Sequence, residues 1–159
     1  MVGVDDAVYD HGEMGLERDG SIRWRIHLRS SPAAVYELLA TGSGRARFWA
    51  RRAEETAGVV RFEFGNGQRL VAEILERSPP QRFALTYFGE SRVTFELAGD
   101  GTGGTDLSLR EEGVPEADRL DNLAGWVSVL LALKAAADFG IDLRNDDAAK
   151  RWEHGYVDV

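Results

Sequence analysis

The chain of 159 residues contains no cysteine. That rules out disulfides, thiolate nucleophiles and cysteine-ligated zinc, and it suits a reducing compartment such as the cytoplasm. Histidine is nearly as scarce. His11, His27 and His154 lie far apart, with no helical or hairpin spacing that would bring two of them onto one metal, so neither a metal nor another cofactor is expected. Positive charge is in deficit, with 19 Lys and Arg against 27 Asp and Glu, which argues against a nucleic-acid surface. No GxSxG occurs, and the glycine-rich segments join strand-like runs instead of opening a helix, so a nucleophile elbow and a phosphate cradle are both disfavoured. The apolar run between Trp126 and Leu133 is shorter than the roughly 20 residues a bilayer needs, so no membrane span is expected. The first residues, MVGVDDAVYDHGEMG, are acidic and lack the basic-then-apolar order of a secretory signal.

What is present divides the chain into three parts. Residues 1–18 are Gly- and Asp-rich and read as a loosely held arm. Residues 19–140 carry the periodic patterns of one domain, and 141–159 form a tail rich enough in aromatics to be ordered on it. In the domain, Ile22, Trp24, Ile26 and Leu28 alternate with Arg23, Arg25, His27 and Arg29, the pattern of a half-buried strand with His27 toward solvent. Ser31-Pro32 supplies an N-cap and a first-turn proline for a helix with Val35, Leu38 and Leu39 on one face. A second short helix is expected from about Gly44 to Ala50. Period-two patterns then follow through Val60–Phe64, Leu70–Leu75, Phe83–Tyr87, Val93–Leu97 and Thr105–Leu109, with Gly65-Asn66-Gly67 as a hairpin turn. A long helix is expected from about Glu116 to Phe139. Strands in hairpin succession with segregated helices indicate an α+β fold with an antiparallel sheet.

Within the long helix, Ser128 is the only polar residue from Trp126 to Leu133, so a helix apolar almost all round must be wrapped. A curved sheet gripping it on one side, with the two short helices on the other, would do so. In this order of elements the sequence resembles the START-like, polyketide-cyclase-like helix-grip superfamily. Within it, the likeness is to the homologues of the activator of the ninety-kilodalton heat-shock chaperone's ATPase. The resemblance spans roughly residues 20 to 140 and rests on SSPAAVYELLATGSGRARFWA with its Trp49, on GTDLSL (104–109), and on the GW pair at 125–126. It implies a cavity between sheet and long helix, which many superfamily members use for hydrophobic ligands, and it implies a chaperone partner by name.

Candidate site residues follow from which faces point inward. Trp49, Phe62, Phe95, Trp126 and Leu130 would form a pocket wall, with core packing the competing role. Tyr87 adds an inward hydroxyl, which could instead bond a backbone carbonyl. Alternation from Thr105 through Leu107 and Leu109 points Glu111 inward, as a general acid or a ligand anchor. Gly113 and Pro115 nearby favour an end to the strand that would leave this carboxylate at water. Arg45, Arg47, Arg51 and Arg52 form a basic patch, by default a solvated helix face and otherwise a receiver for an acidic group. The expected function is binding of a small hydrophobic molecule. A cyclase- or dehydratase-type enzyme using the same cavity is the alternative, and a chaperone-binding module the third; the tail could cover the pocket or support a homodimer.

Overall fold

The computed structural model describes residues 11–13 and 15–157. Among the described residues there are nine strands and three α-helices. They are β1 (His11–Glu13), β2 (Leu16–Glu17), β3 (Ile22–Leu28), α1 (Pro32–Ala40), α2 (Gly42–Arg45), β4 (Arg52–Thr56), β5 (Val59–Glu63), β6 (Arg69–Ser78), β7 (Arg82–Thr86), β8 (Arg92–Gly99), β9 (Thr105–Glu112) and α3 (Arg119–Phe139). The strands make one antiparallel sheet in the order β1-β2-β3-β9-β8-β7-β6-β5-β4. This is the α+β helix-grip arrangement, a curved sheet with α3 across it.

Local chemistry sets the helices. Ser31 Oγ accepts from Ala34 N–H at 3.2 Å and Pro32 opens the first turn, as the sequence signals. Thr41 closes α1 and caps α2, its hydroxyl oxygen accepting from Gly44 N–H at 3.0 Å. Gly44 has to be glycine, because a Cβ there would lie 2.6 Å from the Leu38 Cα. The far end of α3 is stapled to the β3–α1 junction. Asp138 accepts from the N–H groups of Arg29 and Ser30, each at 3.0 Å, and Lys134 donates to the His27 carbonyl at 2.9 Å.

Three expectations change. Within the segment read as a loose arm, β1 and β2 form a hairpin that adds to the sheet edge, with Leu16 paired to Ile22; residues 1–10 fall outside the described residues. A sixth strand after the helices, β4, was not expected, and it pairs along its whole length with β5. Finally, the sheet grips α3 on one face and does not enclose it all round. Trp126, Leu130, Ala132, Leu133 and Ala136 are buried, but Leu120, Val127 and Leu131 stand exposed. By length and composition the 24 residues Glu116–Phe139 would suffice to cross a bilayer, more than the shorter apolar run suggested; in this fold one face of that helix packs on the sheet.

Candidate functional site

The space between sheet and helix is largely filled by aromatic rings. Trp49 is their hub, with its ring centroid 5.0 Å from Phe62, 5.5 Å from Phe95 and 5.9 Å from both Tyr87 and Trp126. Rings at these separations, mostly edge-on or tilted, are at the distances of favourable packing. Phe62, Phe95 and Leu130 belong to this buried core.

At the mouth of the grip the packing opens into a cleft of about 710 Å3. One wall is the α3 face carrying Asn122, Gly125, Trp126 and Val129. Opposite lies the segment Ala46–Arg51, which brings Phe48 and Trp49. The β5–β6 turn with Phe64 and the β7–β8 turn with Tyr87 and Phe88 complete the apolar lining, and the tail supplies Arg144, Arg151 and Trp152 at the rim. Of the seven residues singled out from sequence, Trp49, Tyr87 and Trp126 therefore line the cleft, whereas Phe62, Phe95, Glu111 and Leu130 stand behind it.

Glu111 does not reach water. Strand β9 continues to Glu112, which pairs with Arg92, so alternation carries the Glu111 side chain into the interior, where it is completely buried. Three donors meet it there. Trp126 Nε1 and Asn122 Nδ2 donate to Oε1 at 2.9 and 3.1 Å, and Ser91 Oγ donates to Oε2 at 2.6 Å. Indole and amide N–H groups can only donate, so the site is built for an acceptor. Two of the donors, Trp126 and Asn122, are also cleft wall. The carboxylate thus fixes the wall from behind.

The expected backbone carbonyl is not the partner of Tyr87 among the described residues; its hydroxyl oxygen accepts from Trp49 Nε1 at 3.1 Å. Burial pushes its phenol above the ordinary value, a shift that the Trp49 hydrogen bond opposes.

Of the four arginines of the basic patch, Arg45, Arg47 and Arg51 bond within the chain, and Arg52 is exposed. Arg45 is wholly buried, donating to the carbonyls of Ala53 and Leu39 at 2.9–3.1 Å, so it is no part of a solvated face. Arg47 donates to the Ala136 carbonyl at 3.2 Å. Arg51 receives an acidic group from the chain's own tail, donating to both oxygens of Asp146 at 2.8 Å. Those hydrogen bonds, with a second from Arg151, hold the Asp146 carboxyl below its ordinary range. The tail is tied down further by Arg144, which reaches the carbonyls of Ala50 and Ala46 at 2.8 and 2.6 Å, and by Arg151, which donates to the Gly65 carbonyl at 2.9 Å. The tail arginines were not singled out from the sequence, where nothing distinguishes them from surface charge. His27 is exposed as expected, its ring beside Asp106 at 2.9 Å. Among the described residues no group of three or more His, Asp or Glu side chains is arranged to hold a metal ion.

A helix-grip fold with an aromatic cleft at its mouth defines the class. The model of the family described as activator of Hsp90 ATPase homolog 1-like protein matches residues 29–138, and the chain belongs to that family. Among solved structures it is similar to the protein SSP2350 from Staphylococcus saprophyticus, at 21% identity and a TM-score of 0.69, covering 78% of this chain and 96% of that one. It is similar also to the Aha1 dimer from Colwellia psychrerythraea, at 20% identity and a TM-score of 0.68, covering 76% and 97%. A third is DynU16, a protein of the dynemicin biosynthetic locus, at 23% identity and a TM-score of 0.68, covering 79% of this chain and 50% of that one. No curated protein matches the chain.

Proposed function

We propose that the protein binds a small hydrophobic, ring-bearing molecule in the cleft at the mouth of the grip. The observation that carries this reading is the cleft itself. A volume of about 710 Å3 falls within the range of small-molecule sites, and its lining combines aromatic rings with a few placed polar groups. Trp49, Tyr87 and Trp126 present the apolar wall, and Asn122, Arg144 and Arg151 stand where the polar end of an amphipathic ligand would lie. Glu111 acts as a positioning residue behind that wall. The likeness to a protein of the dynemicin biosynthetic locus supports a small-molecule ligand. The relative described as a dimer supports a second copy of this chain as a further partner. The absence of cysteine suits a cytoplasmic setting.

The cyclase or dehydratase alternative needs an acid–base pair facing the ligand, and the two groups offered for it are Glu111 and Tyr87. Both are engaged internally, which favours binding over chemistry. The chaperone-directed role in the family's name would use an outer surface, and nothing in the cleft bears on it.

The test uses Gly125, which lines the cleft on α3 and where an added Cβ meets nothing within 4 Å. Gly125→Phe fills the cleft while replacing a poor helix former by a better one. Wild-type protein titrated with anilinonaphthalene sulfonate and a panel of aromatic, fatty-acyl and polycyclic compounds should show saturable changes in tryptophan or probe fluorescence. Gly125→Phe should remain folded and lose them. Equal binding by the two proteins would remove the cleft from consideration.

A further inference from the structure

The solvent-facing side of α3 is the feature that ligand binding leaves unused. The twelve residues from Asn122 to Leu133 carry no charge, although the helix has a face in water. On that face Leu120 is 76% exposed, Val127 40% and Leu131 48%, with exposed Ala124 between them. At 100° per residue these four positions fall within an arc of about 60°, forming one stripe. Soluble helices ordinarily place charge there.

We infer that this stripe is the contact surface for a second copy of the chain, with the two α3 helices packed antiparallel about a twofold axis. The first argument is spacing. Leu120, Ala124, Val127 and Leu131 are separated by four, three and four residues, an order that is the same in both directions. Antiparallel helices therefore place Leu120 against the partner's Leu131, and Ala124 against the partner's Val127, as a self-complementary interface requires. The small Ala124 across from a valine lets the axes approach to the usual helix–helix distance of about 8–10 Å.

The second argument is charge. The start of the helix is acidic, with Glu116, Asp118 and Asp121 all exposed. Its other end carries Lys134, one-third exposed, and Arg29, whose guanidinium lies 4.7 Å above the ring of Phe139. In the antiparallel arrangement Lys134, which also holds the His27 carbonyl and Asp138, comes opposite position 117, beside the partner's Glu116. A parallel arrangement would instead bring the two acidic ends together. The helix dipoles favour the antiparallel pairing as well. The stripe is small, so the dimer is weak and concentration-dependent.

The inference is independent of the cleft, which lies on another face of α3. Sedimentation velocity from about 1 to 500 μM should show a monomer giving way to a dimer across the range a small interface implies. Leu131→Glu and Leu120→Glu, both at exposed positions, should keep the wild-type circular dichroism and remain monomeric throughout. Orientation is read by oxidative cross-linking, which the absence of native cysteine makes free of background. An equal mixture of Leu120→Cys and Leu131→Cys chains should give the mixed disulfide. Identical cysteines would lie roughly 16 Å apart along the helices at 1.5 Å per residue. A wild-type protein that stays monomeric, a dimer that survives Leu131→Glu, or a predominance of 120–120 links would each overturn the proposal.

Discussion

Replacing Glu111 tests whether the buried carboxylate is what holds the cleft wall. Glu111→Ala leaves the Trp126 indole N–H, fully enclosed, without a partner, and it removes one from the buried Ser91 hydroxyl, which can rotate, and from Asn122, which is half-buried and can turn toward water. A buried donor left unpaired costs about 1–3 kcal/mol, and Asn122 less than that. The space vacated by the carboxyl group adds a cavity term of about 1–2 kcal/mol. The sum is a loss of about 2–5 kcal/mol. Glu111→Gln should be much milder. Its carbonyl oxygen can take both N–H donors while its amide faces Ser91, whose hydroxyl can rotate to accept. What is lost is the charge-assisted part of three hydrogen bonds, partly offset because a charge no longer has to be buried, leaving about 1–2 kcal/mol. Equilibrium unfolding in urea at neutral pH, followed by far-ultraviolet circular dichroism, reads both differences. A loss below about 0.5 kcal/mol for the alanine variant would mean the network stabilises nothing. Equal losses for the two variants would mean Ser91 cannot reverse its role, and the donor-only account of the site would be wrong.

Two further outcomes follow from the packing of α3. Leu130→Ala, at a side chain 4% exposed against the sheet, should cost about 2–5 kcal/mol in the same unfolding assay; a surface-like loss would contradict its place in the core. At Asp138 burial works against ionisation, but hydrogen bonds from Arg29, Ser30 and Lys134 outweigh it and hold the carboxyl at about 2, below the ordinary 3.8. A carboxyl lowered in the folded state adds stability that is fully present above its unfolded value and lost as pH falls through the folded one. Wild-type stability should therefore drop between about pH 4 and 2 more steeply than that of Asp138→Asn, and parallel acid-unfolding curves would contradict the staple.

The fold was legible because most of its elements announce themselves by period. β4 does not. In Arg52–Thr56 only Ala53 is buried, so there is no alternation to see, and the strand exists because β5 pairs with it. Arg45 was opaque for a related reason. A guanidinium reads as surface charge unless one knows that the Leu39 and Ala53 carbonyls converge on it. For α3, apolar composition all round signalled need for contact but not how many sides would receive it. Glu111 shows the limit most clearly. Strand alternation pointed inward, while Gly113 and Pro115 signalled an ending, and continued pairing with β8 decided in favour of alternation. Aromatic content could not separate cleft from core, because Trp49 and Trp126 serve both.

That double service explains how the cleft keeps its shape. Trp126 touches the interior of the cleft with its ring and is tied through its N–H to Glu111, while Trp49 lines the opposite wall and is tied to Tyr87. Both tryptophans are therefore fixed by a hydrogen bond as well as by ring packing, and a wall fixed in advance spares a ligand the entropy of ordering it. The tail side is held differently. Arg51 and Asp146 are each about half exposed, and an exposed ion pair contributes at most about 1 kcal/mol. Arg144 donates to backbone carbonyls with its side chain about one-fifth exposed, and the buried Arg151 donates to the Gly65 carbonyl; water takes their places only once the tail lifts. Widening the cleft by moving α3 would break the Glu111 network, whereas widening it by lifting the tail exchanges these bonds for hydrogen bonds to water. A ligand too large for the closed cleft would therefore enter from the tail side, with the helix wall staying in place.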